Sequence, residues 1–135
     1  MNKKEAIKEL IQNLEQYFLM GFYFHPKFMD EFTELLKKAS GNEKEIFSLL
    51  IKQLYFVKEL GKEIYKADSN EIIKYQERDY YSLHLSGKNF NFRLLMAFGK
   101  EDAPIFLAAF YERSGKRISD YSKWYSVISS RYSEI

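Results

Sequence analysis

Apolar and polar residues alternate with a period of two through most of residues 80–117, broken twice by turn residues. Leu83 and Leu85 alternate with Ser82 and His84. Phe90, Phe92, Leu94, Met96 and Phe98 alternate with Asn91, Arg93, Leu95 and Ala97. An aromatic-rich period of two bounded by turns predicts strands, here three in succession. Closing the first hairpin at Ser86-Gly87-Lys88-Asn89 pairs Leu85 with Phe90, Leu83 with Phe92, and Ser82 with Arg93. Closing the second across residues 99–104 pairs Phe98 with Ile105 and Arg93 with Phe110. Leu83, Phe92, Met96 and Leu107 then share one face. His84, Arg93 and Glu112 share the other, above a floor of Leu95, Ala97, Phe106 and Phe110. A slip of one residue would scramble both faces.

Before the strands the period changes to 3.6. Ile7, Leu10, Ile11, Leu14 and Phe18 predict an amphipathic helix over residues 3–16. The aromatic run YFLMGFYF suggests a strand over 18–24. Pro26 starts a helix over 27–39 with Phe28, Phe32, Leu35 and Leu36 on one face. Ser40-Gly41 ends that helix. Asn42 and Glu45 have capping-box spacing for the next one, which carries Ile46, Leu49, Leu50, Leu54, Val57 and Leu60 to Gly61. Residues 62–79 read as coil with a turn at Asp68-Ser69-Asn70, a short helix from Asn70, and Ile72-Ile73 as an anchor. Ser119 is the expected N-cap of a last helix reaching Tyr132, with Tyr121, Trp124, Tyr125 and Ile128 on one face.

The expected architecture is a single α+β domain over 1–135: a helical hairpin packed on a small antiparallel sheet, with an N-terminal helical extension and a short C-terminal helix. The 135 residues, 46% hydrophobic and 18% aromatic, suffice for one core. The chain has no cysteine, so disulfides and thiolate chemistry are excluded, and two distant histidines give no metal cluster. With no run of transmembrane length and no signal peptide, a cytoplasmic protein away from membranes is expected. The net charge of +2 is low for a general nucleic-acid binder. The last 23 residues hold five Lys/Arg (Arg113, Lys116, Arg117, Lys123 and Arg131) against Asp120 and Glu134. A local basic patch of that kind suits a few phosphates or a solvated surface.

FNFRLLMAF followed by IFLAAFYERSGKRISDY resembles the RelE/ParE superfamily of bacterial toxins, in its HigB-like and phage-related branches. In those, a strand arginine precedes an apolar strand ending in a basic motif and a short helix. Arg93 matches the arginine, and residues 110–116 match the second motif. Glu112 departs from the pattern, standing where many members carry a basic residue. The resemblance spans about residues 17–131.

It implies the toxin of a type II toxin–antitoxin system that inhibits translation as a metal-independent, ribosome-dependent mRNA endoribonuclease without a cofactor. A ParE-like inhibitor of DNA gyrase and a non-toxic relic of the same fold are the alternatives. A cognate antitoxin is the implied partner of each, with mRNA on the ribosome the nuclease's target. In the nuclease reading, the RNA 2′-OH attacks the adjacent phosphate. That needs a base, cations for the charged transition state, and an acid for the leaving oxygen. The resemblance and the sheet face together assign Arg93, with Arg113 and Lys116, to the phosphate, the alternative for Arg93 being a surface ion pair with Glu112. His84, the only imidazole on that face, is a candidate for the base, a task the family often gives to Lys, Tyr or acids. Lys88, Arg117, Tyr121 and Tyr132 are the expected RNA contacts.

Overall fold

The opening helix, α1 (Lys3–Leu19), runs past its expected end at residue 16 into the aromatic run. Gly21, at φ +93°, then stops it. The Gly21 N–H donates to Phe18 O, and the Phe22 N–H to Tyr17 O at 2.9 Å. This is a Schellman ending, which needs a left-handed residue and therefore favours glycine. Its usual apolar contact is also present, with the Tyr17 and Phe22 rings 5.2 Å apart. The strand expected over 18–24 is thereby reduced to β1 (Tyr23–Phe24).

The computed structural model describes residues 3–112 and 121–135. Helix α2 (Pro26–Lys38) begins where Pro26 fixes the first turn, and the Lys27 N–H donates to Nδ1 of His25 at 3.1 Å. Helix α3 (Glu43–Leu60) follows, but the expected capping box between Asn42 and Glu45 does not form: Asn42 makes no side-chain cap bond. The Glu43 carboxylate instead reaches back two residues and accepts from the Gly41 N–H at 3.0 and 3.1 Å.

Residues 62–79 depart from the expected coil and short helix. A 3-10 helix (Gly61–Lys66) leads into a strand, β2 (Glu71–Tyr75), which pairs antiparallel with β3 (Arg78–Ser86). The turn between them is Gln76-Glu77, both at positive φ, 49° and 63°. Two positive φ values are the requirement of a type I′ hairpin, normally met by Asn or Gly. The sequence offers neither, so it hides the turn.

Strands β4 (Asn91–Phe98) and β5 (Pro104–Tyr111) complete a five-stranded sheet in the order β1-β5-β4-β3-β2. Its four long strands are antiparallel. Edge strand β1 pairs parallel with β5, so the sheet is mixed rather than wholly antiparallel.

Both hairpins exist, with two changes of register. In the first, Leu85 pairs with Phe92, Leu83 with Leu94 and His84 with Arg93, two residues from the expected pairing. The loop spans residues 87–90 because Phe90 folds inward. A Cβ on Gly87 would lie 2.5 Å from the Phe90 ring. A shift of two preserves which face each side chain occupies. In the second, Arg93 pairs with Phe110 as expected. A bulge between Leu95 and Met96 then moves Phe98 opposite Pro104. The bulge inverts the expected faces of two residues: Phe106 joins Phe92 and Met96, while Leu107 joins Leu95 and Ala97.

The sheet separates two cores. One face carries Leu83, Leu85, Phe92, Leu94, Met96 and Phe106 against α1, α2 and α3. The other carries Ile73, Tyr80, Leu95, Ala97 and Leu107 beneath Tyr121 and the last helix, α4 (Tyr125–Ser133), whose Ile128 is fully buried. A short 3-10 turn (Ser122–Trp124) precedes α4; the expected N-cap, Ser119, lies outside the described residues.

The two layers meet at the bulge. Arg131 Nη1 and Nη2 lie 2.8 and 2.9 Å from the two carboxylate oxygens of Glu31 on α2. Arg131 also donates to Leu107 O, and Glu31 accepts from the Ala109 N–H. The stretch of β5 beyond its short partner β1 thus has side-chain partners at two backbone groups. Among the described residues, no helix is long and apolar enough to cross a membrane.

Candidate functional site

On the α4 side of the sheet, neighbouring strands place polar side chains in adjoining rows. Ser86 on β3 and Asn91 on β4 are Cα partners, as are His84 and Arg93, and Ser82 and Leu95. Strand β2 adds Glu71 opposite Ser82. The alternation that aims Leu83 and Leu85 into one core aims Ser82, His84 and Ser86 at this face.

Nε2 of His84 lies 2.7 Å from Oε1 of Glu71. The same carboxylate oxygen lies 2.6 Å from the Tyr121 hydroxyl, which is 2.7 Å from Oγ of Ser82. The phenol has one proton, and the carboxylate is the better acceptor, so Ser82 donates to the phenol in turn. Arg93 donates through Nη1 to Asn91 Oδ1 at 2.6 Å and to the Phe92 carbonyl at 3.3 Å. Asn91 Oδ1 also accepts from the Ser86 hydroxyl, and Asn91 Nδ2 donates to Glu112 O. Arg93 is only 4% exposed.

Burial, helped by the Arg93 charge, lowers His84 below its ordinary 6.5, outweighing the hydrogen bond to Glu71 and the charges of Glu71 and Glu112. At neutral pH the imidazole is uncharged. The Glu71 carboxylate can only accept, so it selects the Nε2–H tautomer and leaves the Nδ1 lone pair as proton acceptor.

The backbone of His84 is held as firmly as its ring. Strand β2 begins at Glu71, and just before it Asn70 continues the ladder with its side chain, accepting from the His84 N–H at 2.9 Å. Gln53 of α3 donates to His84 O and exchanges hydrogen bonds with Asn70 in both directions. Asn70 and Gln53 are both buried. These amides fix where His84 stands relative to Glu71 and Arg93.

The expected site residues divide into three groups. His84 and Arg93 are brought face to face. Tyr121 joins them through Glu71, but it is buried with its hydroxyl engaged, so it does not offer its ring for base stacking. Lys88 is exposed at the tip of the β3–β4 hairpin. Tyr132 is not in this group; its ring packs edge-on against Tyr80, under the Arg78 guanidinium at 3.7 Å. Arg113, Lys116 and Arg117 lie outside the described residues.

Glu71, Asn70 and Gln53 were not expected, and Ser82, which alternation puts on this face, was given no role. Glu71 and Asn70 fall in the stretch whose strand was hidden by its turn, and Gln53 is a polar residue on a helix's apolar side. That last feature, a polar side chain among Leu50, Leu54 and Val57, is a signal the sequence does carry. Among the described residues, no group of three or more His, Asp or Glu is placed to hold a metal ion. Compared with protein-family models, curated proteins and solved structures, the chain gives no match.

Proposed function

We propose that this chain is a RelE/ParE-like toxin that cuts mRNA without a metal, with His84 as general base and Arg93 steadying the phosphate. The observation that carries the proposal is the pairing of His84 with Arg93 across β3 and β4, with Glu71 2.7 Å from the imidazole. An uncharged imidazole held by a carboxylate can take the 2′-hydroxyl proton. A guanidinium beside it offers a planar fork for phosphate oxygens and stays charged through the reaction. The order of elements, a short strand, a helical hairpin, consecutive strands and a final helix, fits the resemblance carried by the β4 and β5 motifs.

The burial of Arg93 favours a second reading, a gyrase inhibitor of the ParE kind that acts through its surface. In that reading Arg93 serves the sheet, through Asn91 and Phe92, and chemistry is not required of it.

Expression in bacteria separates the two. The nuclease reading expects growth arrest with cut mRNA, lost in His84→Ala and in Arg93→Lys. An ammonium cannot reproduce the bidentate grip. Arrest with intact mRNA and inhibited supercoiling, unchanged in both variants, would instead establish the second reading.

A further inference from the structure

Five large apolar side chains stand in solvent along the C-terminal half of α1 and just beyond it: Ile11 (56% exposed), Phe18 (50%), Leu19 (86%), Met20 and Tyr23. The inward stripe of the helix is already used, since Ala6, Leu10, Leu14 and Tyr17 are buried. The outward stripe runs Lys4, Lys8, Ile11, Glu15 and Phe18, with Leu19 beside it, and all six are exposed. The spacing alternates between four and three residues, the seam along which two helices pack side by side. Phe18, Leu19 and Met20 are consecutive and all exposed at the end of the stripe, and an exposed apolar cluster of this kind marks an interaction site.

We propose that this stripe is a homodimer interface, in which the α1 helices of two copies pair antiparallel about a two-fold axis between Ile11 and Gln12. The charge order selects a second copy as the occupant. The stripe has its cations, Lys4 and Lys8, in the first half and its carboxylate, Glu15, with the apolar group in the second. Reversed on itself, it sets Lys8 against Glu15 of the second copy, twice by symmetry. The aliphatic stem of Lys4 covers Leu19 of the second copy, and the two Ile11 side chains meet near the axis. Parallel pairing would stack Lys8 on Lys8 and Glu15 on Glu15, so charge fixes the orientation. The surface lies on the helical side of the sheet, remote from His84 and Arg93, and the inference is independent of the nuclease reading.

Sedimentation of the full chain over a rising concentration series tests it. Wild type should pass from monomer to dimer. Lys8→Glu alone and Glu15→Lys alone each turn two attractive contacts into two repulsive ones and should weaken the dimer about tenfold or more. An equimolar mixture of the two variants restores opposite charges at both contacts, so it should associate where neither variant does alone. Circular dichroism of each variant should match wild type, because both positions are exposed. Wild type that stays monomeric throughout, or a mixture no tighter than its components, would overturn the proposal.

Discussion

His84 sits between a carboxylate and a guanidinium, and its burial decides which protonation state the folded protein prefers. Because its folded value is lowered below the ordinary 6.5, the unfolded chain takes up a proton first as the pH falls. Stability should therefore be highest above about 6.5 and decline as the pH drops through and below it. His84→Gln should flatten that decline in urea titrations at pH 7.5 and 5.5 (both about one unit from the ordinary histidine value). A second prediction concerns Arg93. Its guanidinium is buried and bonded to Asn91 and the Phe92 carbonyl, so Arg93→Ala should cost about 1–3 kcal/mol in chemical denaturation. A loss of activity in that variant alone would mix chemistry with folding, and Arg93→Lys is the cleaner probe. At this scale the sequence is informative wherever alternation is strict, and the period of two alone puts His84 and Arg93 on one face. Glu71 is not placed this way, since its strand could not be recognised, and Tyr121, expected on the last helix as an RNA contact, lies buried just before it with its hydroxyl on Glu71.

The elements show why some of the fold was legible and some was not. Periodicity is a local property, so α2, α3, β3, β4 and β5 could be read directly. Register depends on contacts across strands. The inward fold of Phe90 over Gly87 and the bulge that exchanges Phe106 with Leu107 leave the local pattern almost untouched. The partners that occupy the bulge lie far away in sequence, at Glu31 and Arg131. Arg131→Ala removes the donor to Leu107 O and leaves Glu31 beside the Ala109 N–H without its cation. It should cost about 2 kcal/mol, and Glu31→Ala with Arg131→Ala should fall short of the sum of the single changes. Strand β2 was missed because Gln76-Glu77 takes a conformation that its residues disfavour. Left-handed φ costs about 1–2 kcal/mol at an ordinary residue. Replacing the pair by Asn-Gly should raise stability by about 1 kcal/mol or more, read as a higher thermal midpoint.

Across the whole molecule, one sheet serves two layers with different contents. The face against α1, α2 and α3 is almost wholly apolar, stacked with phenylalanines, and supplies the larger core. The face beneath Tyr121 and α4 mixes a smaller apolar core with the hydrogen-bonded group of Glu71, Ser82, His84, Asn91 and Arg93. Gln53 links them, reaching from α3 to hold the His84 backbone. In the proposed nuclease reading, a pre-oriented imidazole and guanidinium would need little reorganisation when charge develops on a phosphate. The most direct test is the rate at which purified protein cuts mRNA bound to ribosomes, wild type against His84→Gln, with matching unfolding curves for both. The account predicts cleavage by wild type and a loss of about 100- to 10,000-fold in the variant, the range for a general acid or base. Cleavage at the wild-type rate by a folded His84→Gln protein would contradict it, and so would a wild-type protein that leaves the mRNA intact.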